Sequence, residues 1–389
     1  MPLRIAFDAR HIRDFGFGTY IRNLLGAFAA IGVPHRFLLI SREEDRHEFD
    51  DLPANFKRVP YTRSDTDLSD KISLPLLIRR LDVDLSHIPL SRVPPLMPRP
   101  YIVTVHDLSA LVFDAASGWR HQMRIMLMRR DLGRAERVIA VSESTRHDVV
   151  NILGVPDQKV VRIYGATDPR FSHHQLGTDA RAAGPEAWEL ERRRILERYQ
   201  VGYPFLLYAG TIRPQKNIPR LIEAFALVKR ELADHPDYAD LRLIIIGDEI
   251  SRYPLVRQTV LQSRVQGAVR FLGFVPLNTL RVFFEAAQAF VFPSLYEGFG
   301  LPPLEAMASG TPVVCSKSTS LAEVVGEAAV IVSPDNVFDI ARGIREVLLS
   351  PALREQMIAR GHAQVARFTW EETARQVNAL YESAAGRIR

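Results

Sequence analysis

The feature that most constrains this chain is a unit it repeats: a short apolar, β-branched run, a loop, then a segment with helical spacing. In the second half the runs are 205–209, 241–246, 269–271, 289–292, 312–315 and 329–332. The first half carries them at 3–9, 36–40, 84–89, 101–105 and 137–141. Strands that alternate with helices bury both faces of a parallel sheet, so the pattern predicts α/β architecture with two doubly wound domains. At 389 residues the chain is long enough for both. Residues 41–70 are polar and acid-rich and read as a surface loop. Character changes again after residue 170, with His173, His174, Gly177 and Gly184 followed by a charged helical run at 186–198. The expected division is therefore 1–170, a linker with a surface helix at 171–202, a second domain at 203–368, and a final helix at 369–389 that can pack back on the first domain.

Composition excludes several classes. Apolar residues make up 47% and charged residues 24%, as in a soluble globular protein. Cys315 is the single cysteine, which rules out an intrachain disulfide framework and is compatible with a reducing compartment. No run of about 18 apolar residues is present, and the N-terminus enters a strand without a signal-peptide pattern, so a cytoplasmic location is expected. The net charge of +5 is a mild excess that does not call for nucleic acid as a partner. The adjacent His173 and His174 lack partners at metal-ligand spacing, and no Asp-x-Asp pair is placed for a phosphate-bound metal.

The most informative stretch is 289–310. Its apolar run reads as a buried strand, Gly298 and Gly300 form a loop, and Pro302 and Pro303 open a helix that Gly310 can close. The N–H groups of Gly300, Leu301 and Leu304 then face outward, and a helix N-terminus after a glycine loop is an anion site. Two carboxylates, Glu297 and Glu305, bracket the loop. Carboxylates beside an anion site suit a ligand that carries both phosphates and hydroxyls, as a nucleotide sugar does. The plainer alternative is a strand–turn–helix in which Glu305 merely complements the helix dipole.

Four other places carry chemistry. Gly16 and Gly18 form a glycine loop between a strand and a helix, but Ile21 stands where a dinucleotide fingerprint needs its third glycine. His106 follows the strand 101–105, at the end of the sheet where α/β ligands sit. Arg213 and Lys216 place two cations on a loop before a helix, with Asn217 as its N-cap. Residues 119–137 interleave Arg120, Arg124, Arg129, Arg130, Arg134 and Arg137 with Trp119, Met123, Ile125, Met126, Leu127, Met128 and Leu132. Such a helix can lie on an anionic membrane surface, or it can turn its apolar side to the core.

Taken in order, the glycine loop, His106, Ser142-Glu-Ser, the Arg213/Lys216 loop, Gly247, Phe271-Leu-Gly-Phe-Val275 and Glu297 through Glu305 resemble glycosyltransferase family 4. The similarity runs from Leu3 to about Phe368, and the wording around Glu297 looks most like bacterial polysaccharide mannosyltransferases. It implies a GT-B fold of two Rossmann-like domains facing across a cleft, with no cofactor and no metal. It further implies that Phe274 and Val275 border the base, that Glu305 accepts from the ribose hydroxyls, and that Glu297 with Gly298, Phe299, Gly300 and Leu301 holds the donor sugar. His106 would lie beside that sugar. One departure is Thr211, which occupies a place where many members carry arginine; Arg213 is then the substitute. The implied reaction moves a hexosyl group with retention, GDP-mannose being the first expected donor and a UDP-hexose the second. The implied acceptor is a glycan, polysaccharide or lipid-linked, at the inner membrane face. A nicotinamide-dependent oxidoreductase is disfavoured by the incomplete glycine fingerprint. A non-catalytic nucleotide-sugar-binding protein is disfavoured by the joint presence of Lys216, Glu297 and Glu305.

Overall fold

The computed structural model describes residues 2–14, 16–113, 118–171 and 185–386. Phe15 of the glycine loop, and His173, His174, Gly177 and Gly184 of the expected linker, lie outside the described residues. The chain forms two compact units, one of Met1–Ala166 with Phe368–Arg389 and one of Thr167–Arg367.

The first unit holds a seven-stranded sheet, with every pairing parallel. Its strands are β1 (Arg4–Asp8), β2 (Arg36–Ser41), β3 (Phe56–Pro60), β4 (Leu85–Ile88), β5 (Tyr101–Val105), β6 (Arg137–Ala140) and β7 (Val160–Arg162), in the order β3-β2-β1-β4-β5-β6-β7. The inner strands β4, β5 and β6 are buried along their whole length; β5 reads as a near-continuous apolar run, whereas β4 buries the polar Ser86 and His87. The helix Phe17–Ala30 turns Tyr20, Ile21, Leu24, Leu25 and Phe28 inward at helical spacing. Burying one such phenylalanine contributes roughly 1.5–3 kcal/mol. The helix Trp370–Gly386 belongs to this unit, and its Tyr381 ring packs 5.8 Å from Phe28 and 6.4 Å from Phe37.

Two strands differ from the sequence reading. Within 41–70, expected as loop, lie a 3-10 segment at Glu43–Phe49 and the strand β3. β3 is an edge strand of Phe-Lys-Arg-Val-Pro, only half-buried, so Lys57 and Arg58 interrupt its apolar signal. Pairing with β2 supplies what local propensity lacks. β7, at the other edge, is three residues long and gives too little periodicity to see.

The second unit is a six-stranded parallel sheet. Its strands are β8 (Phe205–Ala209), β9 (Arg242–Ile246), β10 (Val269–Gly273), β11 (Ala289–Phe292), β12 (Val313–Ser316) and β13 (Ala329–Val332). They run β10-β9-β8-β11-β12-β13, so strand order reverses between β8 and β11. Loops leaving those two strands at their carboxyl ends diverge to opposite sides of the sheet and leave a crevice there.

Candidate active site

The β8 and β11 loops are drawn together by charge. The turn Pro214–Lys216 follows β8, and the Lys216 Nζ donates to Glu297 Oε1 at 2.6 Å. Ser294, two residues beyond β11, donates its hydroxyl to the same oxygen at 2.6 Å. The side chains of Lys216 and Glu297 are only 16% and 10% exposed, so the pair is a largely buried one. Backbone contacts reinforce it: the Leu295 N–H donates to the Gln215 carbonyl at 2.7 Å. Asn217 takes the N-cap position but does not cap, contrary to expectation. Its amide instead donates to the Pro293 and Pro334 carbonyls at 3.0 and 2.7 Å, and a left-handed backbone (φ 60°) aims it there.

A serine–threonine run, Ser316-Lys-Ser-Thr-Ser320, holds the glutamate loop from the far side. Thr319 Oγ1 accepts from the Glu297 N–H and donates to its carbonyl, both at 2.9 Å. Ser320 donates to the carbonyls of Glu297 and Phe299 at 2.9 Å. Ser316 and Ser318 donate to the Ser294 carbonyl. These supporting residues were not singled out from sequence, although the run of small hydroxyls directly after β12 was a visible signal.

Gly300 sits at φ +106° as N-cap of the helix Leu301–Ala308, with Pro302 and Pro303 in the first turn. A Cβ there would lie 2.7 Å from Leu321 Cδ2, so the turn demands glycine twice over. Gly298 and Phe299 are buried, and Leu301 is half-buried. Glu305 is 9% exposed in this helix, and burial pushes its carboxyl up to about 8, with the charge of Asp168 adding to the shift and Arg170 opposing it. Phe274 and Val275 differ sharply, Phe274 being 77% exposed and Val275 buried. They follow β10, which β9 and β8 separate from β11.

Arg213 and Lys216 prove unlike. Arg213 is exposed, and among the described residues its guanidinium makes no hydrogen bond or ion pair. Its loop is fixed by Asp248, whose Oδ2 accepts from the Ile212 N–H at 2.9 Å and from the Tyr253 hydroxyl at 3.2 Å. Tyr208 donates to the Thr211 carbonyl at 2.9 Å, and burial, then the charges of Glu297 and Asp248, raise its phenol well above the usual range.

In the first unit, Gly16 has φ +82° before the helix Phe17–Ala30. Gly18 lies in the first turn of that helix rather than in a loop, and a Cβ on it would meet the Ile12 carbonyl oxygen at 2.2 Å. His106 is half-buried beside Phe17 and Tyr20, at ring distances of 5.0 and 4.8 Å. Its Nε2 lies 3.0 Å from the Pro89 carbonyl, which can only accept, so Nε2 carries the hydrogen and Nδ1 is left as an acceptor. Burial holds the ring's pKa down to about 4, against the smaller opposing pull of Pro89 and Asp107, and the imidazole is neutral at neutral pH.

Among the described residues, no group of three or more His, Cys, Asp or Glu is arranged to hold a metal ion, and no helix is long and apolar enough to cross a membrane. The helix Trp119–Arg134 turns only part of its apolar side to the core. Leu132 is buried and Ile125 and Met128 pack against the core, while Trp119, Met123, Met126 and Leu127 stand exposed.

Across 98% of this chain and 100% of that chain, the fold superposes on Anabaena Alr3699/HepE in complex with UDP-glucose, with a TM-score of 0.75 at 16% identity. Two parallel Rossmann-like sheets with this strand order make the chain a GT-B protein. Residues 192–364 match the family described as glycosyl transferases group 1, and residues 16–171 match glycosyltransferase family 4. The O-antigen chain mannosyltransferase B of Escherichia coli is 33% identical over 72% of this chain and 69% of its own length. The MMP alpha-(1->4)-mannosyltransferase of Mycolicibacterium hassiacum is 39% identical over 74% of this chain and 66% of its own. The chain therefore belongs to the group 1 glycosyltransferases, family 4, and is a glycosyltransferase.

Removing one partner of a buried ion pair leaves the other charge stranded, which typically costs about 3–5 kcal/mol. Lys216→Ala is thus predicted to destabilise the protein by that order, and adding Glu297→Gln should recover part of the loss by removing the stranded charge. Urea denaturation of both single variants and the double variant checks this. Strictly additive effects would show that the two side chains are not coupled.

Proposed function

We propose that this chain is a retaining, metal-independent hexosyltransferase that moves mannose from GDP-mannose to a polysaccharide or lipid-linked glycan. The observation that carries the reading is the Lys216–Glu297 pair at the strand-order reversal, with Glu305 one helical step away. The names of the two mannosyltransferase relatives support the donor sugar. A UDP-hexose is the second reading, favoured by the UDP-glucose held in the structural neighbour.

In this reading the Glu305 carboxylate accepts from the ribose hydroxyls, and Phe274 and Val275 border the base. Glu297 and the backbone of Gly298, Phe299, Gly300 and Leu301 hold the sugar. Lys216 has three ammonium hydrogens, and the one given to Glu297 leaves two for the diphosphate. Arg213, exposed on the same loop, adds a second cation for the charge that grows on the leaving group. The acceptor hydroxyl attacks C1 on the face from which the diphosphate departs. A C–O bond forms as the C1–O bond to phosphate breaks, and the hydroxyl proton passes to the leaving diphosphate. The sugar goes through an oxocarbenium-like state and keeps its configuration. Neutral His106 is suited to accept a sugar hydroxyl at Nδ1. Gly16 and Gly18 complete the donor set by resemblance.

A thermal-shift screen with GDP, UDP, ADP and their sugars tests the donor. A ligand at a hundred times its Kd stabilises by about 2.7 kcal/mol, so GDP and GDP-mannose should raise Tm most. A larger rise with a UDP-sugar would move the assignment to the second reading.

Three further outcomes are expected. Glu297 would act on the sugar where charge develops, so Glu297→Gln should lower kcat by roughly a hundred- to a thousandfold, about 2.7–4 kcal/mol, with little change in nucleoside-diphosphate affinity. Glu305→Gln should instead weaken nucleotide binding and raise KM. Steady-state kinetics with calorimetric titration decide, and the opposite pattern would reverse the two roles. Transfer activity should also persist in excess chelator. Abolition by EDTA with rescue by Mg²⁺ or Mn²⁺ would refute metal independence.

The exposed row of Trp119, Met123, Met126 and Leu127, flanked by Arg120, Arg124 and Arg129, is proposed to dock on an anionic membrane, with the protein cytoplasmic and peripheral at the inner face of the cell membrane. Trp119→Asp with Met126→Asp alters two side chains of residues 72% and 55% exposed, so the fold should be spared. Co-sedimentation with phosphatidylglycerol vesicles should fall several-fold for that variant while Tm is retained. Undiminished sedimentation would refute the docking.

A further inference from the structure

Among the described residues, Asp82, Gln200, Asn217, Arg264 and Thr319 carry a positive φ without being glycine. Asp82, Gln200 and Arg264 stand just past the ends of helices, where a left-handed residue commonly closes the last turn. Thr319 is different. It lies between β12 and the helix Leu321–Val325, and it holds a β-branched side chain at φ +47°, where a branched Cβ is crowded against the backbone. It is also exposed, so core packing does not impose this conformation. Such strain persists only where the surroundings fix it. Here they do so on either side. Ser316 and Ser318 donate to the Ser294 carbonyl, and Ser320 donates to the carbonyls of Glu297 and Phe299 at 2.9 Å. Between these anchors, Thr319 Oγ1 accepts from the Glu297 N–H and gives its hydrogen to the Glu297 carbonyl, both at 2.9 Å. One hydroxyl thus ties both backbone groups of one residue. The Glu297 carboxylate is occupied on one side, where Oε1 accepts from Lys216 Nζ and Ser294 Oγ, both at 2.6 Å. Among the described residues Oε2 accepts no hydrogen bond, and it is the oxygen left for a ligand.

We propose that Thr319 is a positioning residue for transfer: its hydroxyl clamps the Glu297 backbone so that Oε2 stands where positive charge develops on the sugar, and the strained left-handed turn is retained for that clamp. The proposal rests on the reading of Glu297 as the carboxylate that acts on the sugar. Positioning of this kind acts on kcat. A small displacement of a charged group forfeits stabilisation that is strongest in the transition state, while nucleotide binding, made elsewhere in the site, is left alone. No bond to Thr319 is made or broken during the reaction.

The test separates the hydroxyl from the strain. Thr319→Ser keeps the hydroxyl and removes the branch. Thr319→Val keeps the branch and removes the hydroxyl, and Thr319→Gly removes both. The side chain is exposed, so all three should fold. Release of nucleoside diphosphate from GDP-mannose and from UDP-glucose, with water as the acceptor, gives kcat and KM. Calorimetric titration gives the affinity for GDP and UDP, and a thermal melt gives Tm. Thr319→Ser should turn over as wild type. Thr319→Val and Thr319→Gly should each lose roughly ten- to a hundredfold in kcat, with KM and diphosphate affinity held. Stability should follow a different order, Thr319→Gly melting above Thr319→Val because glycine is unstrained at this φ. Adding Thr319→Val to Glu297→Gln should lower kcat little further, since both changes act through one carboxylate. If kcat instead follows Tm, so that Thr319→Gly stays active while Thr319→Val fails, the hydroxyl merely stabilises a loop and the proposal is overturned. Wild-type kcat in Thr319→Val overturns it too, while a loss in Glu297→Gln leaves the Glu297 reading standing. If Glu297→Gln itself keeps wild-type kcat, that reading fails and the clamp fails with it. If the wild-type protein turns over neither donor, the proposed donors fail, and the clamp as a device of their transfer fails with them.

Discussion

The second unit is organised by the buried ion pair between Lys216 and Glu297. Neighbouring parallel strands β8 and β11 send their following segments to opposite sides of the sheet, and the two loops have no reason of their own to approach. The 2.6 Å contact joins them, and the Ser294, Thr319 and Ser320 hydroxyls then fix the glutamate backbone so that its carboxylate has one orientation. A buried pair is a poor source of stability compared with apolar packing, because both charges lose their hydration. Its use here is positional. It holds the Lys216 ammonium within 2.6 Å of the Glu297 carboxylate, beside the strand-order reversal.

The first unit meets the same problem with neutral groups. A buried chain runs from the Tyr381 hydroxyl to His87 Nδ1 at 2.5 Å, from His87 Nε2 to Thr104 at 2.8 Å, and from Thr104 to the Tyr20 hydroxyl at 3.3 Å. Tyr20 stands edge-on to both His106 and Trp370. Burial holds His87 down to about 3 and His106 to about 4, so each ring acts as a neutral donor–acceptor rather than as a cation. The final helix therefore contributes, Tyr381 through His87 and Trp370 through Tyr20, to the packing around His106, 264 positions before Trp370.

Much of this was legible in the residues. The inner strands announced themselves because a strand buried on both faces is mostly apolar, and Tyr101–Val105, Phe205–Ala209 and Ala289–Phe292 fall where the runs lie. Edge strands have no such obligation, and β3 with its Lys57 and Arg58 stayed hidden in an acid-rich stretch. The turn at Gly300 was readable from glycine before two prolines, since those residues have few conformations to choose from. Asn217 misled for the opposite reason: its side chain had several partners to choose from, and distant carbonyls of Pro293 and Pro334 won over the local cap.

By itself, then, the sequence determined the architecture, the family and the residue types at the candidate site, because periodicity, glycine and proline act locally and leave their mark in order along the chain. Tertiary structure alone decided which charges meet and what state they are in. Lys216 and Glu297 are 81 positions apart, and Asp168, whose charge acts on the Glu305 carboxyl, stands 137 positions before it. A pKa near 8 for Glu305, or a neutral His106, depends on how much water the surrounding side chains exclude. That exclusion is a property of packing in three dimensions, and no local pattern in the sequence encodes it.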